Sequence, residues 1–464
     1  MNYTQITAGD QAAMLEAIGI KSVDELFAVI PEPLRFADTL DLPPAKSELQ
    51  LQRELAAMAA QNHGPHDMVC FMGGGAYDHF WPALIDQLIS RGEFLTAYTP
   101  YQAEASQGSL QAFFEFQTQV ARLAALDIAN ASLYEGATAV VEAVLMAVHT
   151  SQKRRVLVAS TLHPEYRSVL DTYLSDLAAD LVTLPAEGGR IAPETVRANL
   201  DDDTAAVVVA SPNVWGLIES WEGCFGAAHE RDGTCAIAVF NPIAAALLKK
   251  PGECGADIAA GEGQPLGVPL SLGGPYLGLL AARKSFVRKM PGRLIGRTTD
   301  ADGRAAYCLT LQTREQHIRG AKATSNICTN QGLLALRATM FMSALGKQGL
   351  RQMAEQCYHK AHYLAGRIAG LDGYALKFDG PFFHEFCITC PCPATPLIEA
   401  AKRRGILAGI APHGRRMGRI GDPNDLLIAV TEKRTKAEMD ALVEVLGEVG
   451  RDEGRGTRDE AGKE

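Results

Sequence analysis

The chain has 464 residues, of which 47% are hydrophobic and 21% charged, and its formal net charge is −10. Such a length predicts two or three domains around a large core. The acidic balance excludes a nucleic-acid surface, which needs clustered Lys and Arg, and no run approaches ~18 uninterrupted apolar residues, so no membrane span is expected.

Met1 to Asp10 shows neither a basic region ahead of an apolar core nor an Arg-rich amphipathic presequence, so a cytoplasmic location is expected. Ten scattered cysteines do not resemble the framework of a small secreted domain. Cys387, Cys390 and Cys392 read as a buried strand end. A metal site there would need a fourth ligand.

Residues 1–65 are expected to form a helical arm. Asp10 is a candidate cap for a helix through Met14, Leu15 and Ile18, and Ser22 with Glu25 resembles a capping box. Pro31, Pro33, Pro43 and Pro44 impose an extended stretch, and Ser47–Ala60 reads as helix. From residue 66 to 330 short β-branched runs alternate with helices. Val156–Ala159, Ala206–Ala210 and Ala236–Phe240 look like strands buried on both faces, and Phe113–Leu126 and Thr138–His149 like helices. That pattern predicts an α/β domain with a mostly parallel sheet. Residues 331–449 predict a small α+β domain. Its helices begin near Thr329 and at Tyr358 and Lys436, and its strands lie at Phe386–Ile388 and Leu426–Val430. Residues 450–464 are nearly all charged or Gly, and a disordered tail is expected.

The layout is similar to fold type I pyridoxal-phosphate enzymes, with a seven-stranded sheet in the large domain. A catalytic member needs a glycine turn at a helix N-terminus for the phosphate, a ring-stacking group, an Asp for the pyridine nitrogen and a Lys for the Schiff base. Gly136 and Thr138 suit the turn, and His163 the stacking position. Asn241 stands where the Asp is required. Between Lys250 and Lys284 there is no Lys, and Gln264 has the best claim to its place. An amide cannot form an imine. Lys249 and Lys250 precede Pro251-Gly252, which reads as a surface turn, so solvated charges are the expected reading.

Longer strings carry more. Phe71-Met72-Gly73-Gly74-Gly75-Ala76-Tyr77, Tyr98-Thr99-Pro100-Tyr101-Gln102, Gln312-Thr313-Arg314-Glu315-Gln316-His317-Ile318-Arg319, Ala323–Gln331, Gly261–Gln264 and Thr431-Glu432-Lys433-Arg434 occur in this order. Together they resemble the P-protein family of the glycine cleavage system in its subunit 1 form, glycine dehydrogenase (decarboxylating) subunit 1, over nearly the whole chain. Gly320 departs from the expected pattern, standing where a basic residue should follow Arg319.

The resemblance implies a degenerate copy of the catalytic chain. Pyridoxal 5'-phosphate then belongs to the partner, glycine dehydrogenase subunit 2, and none is expected covalently bound here. It further implies an α2β2 heterotetramer that decarboxylates glycine and passes the aminomethyl group to the lipoyl arm of H-protein. Gly136, Thr138, His163, Asn241 and Gln264 become a degenerate cofactor pocket. Tyr98, Thr99, Tyr101 and Gln102 are candidates for reaching the partner's site, with interface packing as the alternative. Arg314, His317, Arg319 and Lys322 form a basic strip that holds anions, docks the partner or makes interdomain salt bridges. A self-sufficient pyridoxal-phosphate enzyme and a purely structural subunit remain the competing functions.

Overall fold

The computed structural model describes residues 5–36, 40–177 and 179–461, with side chains through Arg451 except at Arg416. The chain forms two bodies, Met1–Asn62 and His63–Glu464, so the arm ends three residues before the expected boundary.

In the first body, the helix Ala8–Ile18 is capped by Thr7, not Asp10. Asp10 is instead the reciprocating N3 residue of that capping box. Ser22 makes no side-chain cap, because Glu25 turns back to accept from the Lys21 N–H, and Val23–Phe27 is a 3₁₀ turn. Ser47 caps the helix Glu48–Ala59 with Gln50 as its partner, near the expected start.

The second body is built on the expected seven-stranded sheet. Its strands are β1 (Ile128–Ala129), β2 (Arg155–Ala159), β3 (Asp180–Leu184), β4 (Thr204–Ser211), β5 (Cys235–Phe240), β6 (Ile258–Glu262) and β7 (Gly278–Ala282). The order is β1-β7-β6-β5-β4-β2-β3, parallel from β6 to β3, with β7 antiparallel to β6 and to β1. Alternate residues serve opposite cores. Val207 and Val209 lie in the core on the side of the helix Trp221–Ala228, and Ala206 and Val208 in the core on the side of the helix Gly136–Ser151. Both faces are therefore apolar, which is why these strands read as continuous hydrophobic runs.

The small sheet pairs Ala375–Leu376, Glu385–Thr389 and Asp425–Ala429 antiparallel. Cys390 and Cys392 lie in its core, and Cys387 faces a separate small cluster. The expected break at 330/331 is displaced, because Gly332–Ala369 is two helices joined at a kink at Gly346 (φ 60°, ψ −174°) that run from the large-domain core into the small-domain core. Val69–Cys70 pairs with Ile406–Leu407, so these early residues pack with the small domain. The expected disordered tail is also corrected, since the helix from Lys436 continues to Ala461. Propagating a packed helix needs only one added bond per residue fixed, so a charged sequence can follow it.

Candidate functional site

A cleft of about 80 Å³ opens at the C-terminal ends of β4, β5 and β6, where ligands bind in open α/β sheets. His163, Tyr166, Asn241, Glu262, Tyr77 and Glu385 line it. His163 caps the helix Pro164–Leu174. Its Nδ1 accepts from the Glu165 N–H at 3.2 Å, and among the described residues its Nε2 has no hydrogen-bond partner. Burial pulls the imidazole's pKa down, so it stands there neutral. Asn241 turns its Oδ1 to the N–H groups of Ile243 and Ala244, at 2.9 and 3.2 Å.

The decisive feature is the start of the helix Gly136–Ser151. Its free N–H groups and dipole favour an anion, and the chain supplies its own. Glu135 accepts from the Thr138 N–H at 3.0 Å, and Glu262 Oε2 accepts from the Gly136 N–H at 2.9 Å. The other oxygen of Glu262 accepts from the N–H groups of Gln264 and Leu277, at 2.8 and 3.0 Å. Burial pushes the Glu262 carboxyl up to about 7 even against these three donors. A methyl group on Gly136 would run into the Tyr166 hydroxyl and lie 3.0 Å from Glu262 Cβ, so this position is glycine for closeness.

Glu385 adds a second acid. It accepts from the Gly74 N–H at 2.7 Å and the Tyr77 hydroxyl at 2.9 Å, and burial raises its carboxyl to about 7. Gln264 is turned away from this cleft. Its amide is saturated by the Tyr77 N–H (2.9 Å), the Tyr77 carbonyl (3.0 Å) and the Val268 carbonyl (2.8 Å), and it borders a neighbouring pocket with His79 and Lys433. Lys249 pairs with Glu222 at 2.6 Å and the Lys250 ammonium donates to the Arg122 carbonyl at 2.9 Å. Neither lines the cleft.

The polar-aromatic strings converge elsewhere. The Tyr98 hydroxyl meets Thr329 Oγ1 at 3.2 Å, and Arg293 donates to Thr99 Oγ1 at 3.2 Å and to Asn330 Oδ1 at 2.9 Å. Tyr101 lies 5.7 Å from the Arg293 guanidinium and 5.5 Å from the His317 ring. Tyr98 is 80% exposed and Tyr101 53%, whereas Arg293 is 1% exposed. Gln102 is exposed and precedes a 3₁₀ turn. The basic strip divides: Arg314 is buried, while His317, Arg319 and Lys322 face outward. It is not a salt-bridge network, since among the described residues its only ion pair is His317 with Glu315 at 3.5 Å. Gly320 has φ 59°, which a basic side chain would adopt only under strain.

A family model described as "Glycine cleavage system P-protein" matches residues 1–446. The chain belongs to this family. It is 48% identical to the probable glycine dehydrogenase (decarboxylating) subunit 1 of Chlorobium luteolum, over 97% of this chain and all of that one. The same named protein of Thermomicrobium roseum is also 48% identical, over 97% and 99%. Among solved structures, a crystal structure of glycine decarboxylase (P-protein) in inhibitor-bound form superposes with TM-score 0.88 and 43% identity, covering 97% of this chain and 100% of that one. Lactobacillus brevis glutamate decarboxylase, at 12% identity and TM-score 0.69 over 90% and 96%, shares the fold alone. The fold is that of the type I pyridoxal-phosphate enzymes.

Within this P-protein chain the residues do not fit pyridoxal phosphate. A phosphate at the Gly136 helix start would meet the carboxylates of Glu135 and Glu262. Among the described residues no ammonium lines the cleft, and Asn241 offers the ring nitrogen no carboxylate. Sequence reasoning missed Glu262, Glu385, Tyr77, Tyr166 and Arg293. Glu262 was within reach, being the acid inside Gly261–Gln264 at a strand end. Glu385 joins Gly74 and Tyr77 across more than 300 positions, and no local pattern announces that. His79 proves to be a clamp. Its Nδ1 lies 2.7 Å from Glu432, while Asp78 binds Lys433 at 2.6 Å and Arg434 at 3.1 Å. Burial alone would raise Glu432, but His79 and the backbone donors hold it down at about 2.

Proposed function

We propose that this chain is the subunit without the Schiff-base lysine in a heteromeric glycine dehydrogenase (aminomethyl-transferring). In this reading the partner subunit holds pyridoxal phosphate. The pair decarboxylates glycine and delivers the aminomethyl group to the lipoyl disulfide of H-protein, as an α2β2 assembly. The observation that carries the reading is the helix start filled by Glu262 and Glu135. An internal carboxylate there replaces the cofactor phosphate electrostatically and sterically, so this half keeps the fold without its cofactor. The role left to it lies in the loop Tyr98–Gln102. There Thr99 is held by Arg293 while Tyr98 and Tyr101 stay exposed, and Pro100 restricts the backbone between them. Tyr98, Thr99, Tyr101 and Gln102 are the groups this chain lends to the partner's pocket.

The test is to purify each chain alone and together, add pyridoxal phosphate, reduce with borohydride and map the adduct. The expected adduct lies on the partner only, and glycine-dependent carbon dioxide exchange needs both chains. A reduced adduct on this chain in isolation refutes the reading.

A further inference from the structure

We infer that the cleft between Tyr98–Pro100 and Thr329–Leu333 is an anion subsite, with the Thr99 hydroxyl as donor and Arg293 as the buried source of positive charge. This rests on the proposed role of the Tyr98–Gln102 loop in the partner's reaction and names what that loop recognises. The cleft encloses about 300 Å³, and Tyr98, Thr99, Asn330 and Gln331 are among its walls. Directly behind two of them lies Arg293, which donates to Thr99 Oγ1 and Asn330 Oδ1. Because the Thr99 oxygen accepts from a cation, its own proton is left to donate and is made more acidic by that bond. A hydroxyl polarised in this way suits an anionic acceptor.

Two features show that the charge is not already compensated. Among the described residues no carboxylate pairs with Arg293, and its Nε has no partner although the residue is 1% exposed. The neighbouring Arg314, 8% exposed, hydrogen-bonds among the described residues only the Met290 carbonyl, leaving its Nε and one Nη without hydrogen-bond partners. The acid that faces both among the described residues is Glu315, which is buried, divides its charge among Arg314, His317 and Arg293, and leaves one oxygen unpartnered. Two buried guanidinium groups against one acid leave an excess positive charge, and an uncompensated buried charge is costly. An incoming anion relieves that cost. Arg293 acts through Thr99 and Asn330, and is a positioning residue. The anion is the α-carboxylate of the amino-acid substrate or the phosphate ester of the partner's cofactor. Both present oxygens that accept the same bond.

The reconstituted pair tests this with Thr99→Val, which removes the donor while keeping the shape, and with Arg293→Lys and Arg293→Gln. Three quantities are read: KM and kcat for glycine in the exchange reaction, the dissociation constant of pyridoxal phosphate, and competitive inhibition by acetate and by inorganic phosphate. Losing one bond to a charged group corresponds to roughly ten- to a hundredfold. A KM raised by that factor with kcat little changed, together with weakened acetate inhibition, identifies the carboxylate. An unchanged KM with weaker pyridoxal phosphate binding and weaker phosphate inhibition identifies the phosphate ester. Unchanged values of all three for Thr99→Val in an assembled pair overturn the inference, even if the arginine variants fail to fold. If Tyr98→Phe still slows that pair, the loop's role stands and only the anion subsite falls. If neither tyrosine nor Thr99 matters, the underlying reading falls as well.

Discussion

Replacing Glu385 with Gln should stabilise the protein at alkaline pH and leave it unchanged at acid pH. The carboxyl is fully buried, and its folded pKa of about 7 stands above the ordinary 4.5 because burial disfavours the charge. A raised folded pKa contributes stability that is complete below about 4.5 and is lost as pH rises through about 7. The shift of about 2.5 units is worth about 3 kcal/mol once the group is ionised, at 1.36 kcal/mol per unit. Gln keeps both bonds: its carbonyl accepts from the Gly74 N–H, and its amide donates to the Tyr77 oxygen, which rotates its proton away. The variant therefore sheds the charge and keeps a bond at both positions, while the Tyr77 proton loses its carboxylate acceptor. At about 2.1 cal/mol/K per residue, the unfolding entropy of a chain this size is roughly 1 kcal/mol/K, so the gain at pH 8.5 is about 3 °C in Tm. Thermal unfolding of wild type and variant from pH 4.5 to 8.5 gives the result. Curves that coincide near pH 4.5 and separate through pH 7 are expected. A constant offset, or a variant less stable at pH 8.5, refutes the argument that burial governs this carboxyl.

In the reconstituted pair, Tyr98→Phe or Tyr101→Phe should slow glycine-dependent exchange roughly ten- to a hundredfold with assembly intact. Wild-type rates for both variants rule the hydroxyls out. Gly136→Ala forces a methyl against the Tyr166 hydroxyl and should cost about 1–3 kcal/mol in denaturant unfolding. Adding Tyr166→Phe should recover part of that loss, and no recovery excludes the contact as its cause. Gln264→Lys breaks the bonds to Tyr77 and Val268 and buries an unpaired ammonium. It should destabilise the chain by about 3 kcal/mol or more without creating a borohydride-reducible adduct. Robust turnover by this variant without its partner excludes the degenerate-pocket account.

Local pattern alone determined a good deal. Runs such as Ala206–Ala210 declare a strand covered on both sides, because alternate residues must each meet an apolar layer, and Val207 and Val208 do so on opposite faces. The missing Lys between 250 and 284 is a matter of composition at one strand end and needs no coordinates. The arm's caps were harder. Thr7 and Asp10 are both good capping residues, and which one caps depends on a backbone angle that the letters do not carry. Only the tertiary structure decided which groups fill the helix start at Gly136. Glu262 reaches the Gly136 N–H across 126 positions, and Glu385 reaches Gly74 across 311, because chain folding brings a strand end of the large sheet, the start of a small-sheet strand and a glycine loop together. It also decided that Arg293, which no motif singles out, stands buried behind Thr99 with no carboxylate paired to it among the described residues. Sequence fixes which groups are charged, but only packing decides which charges lose their water, and that loss of solvation is what shifts their pKa values and makes them seek partners.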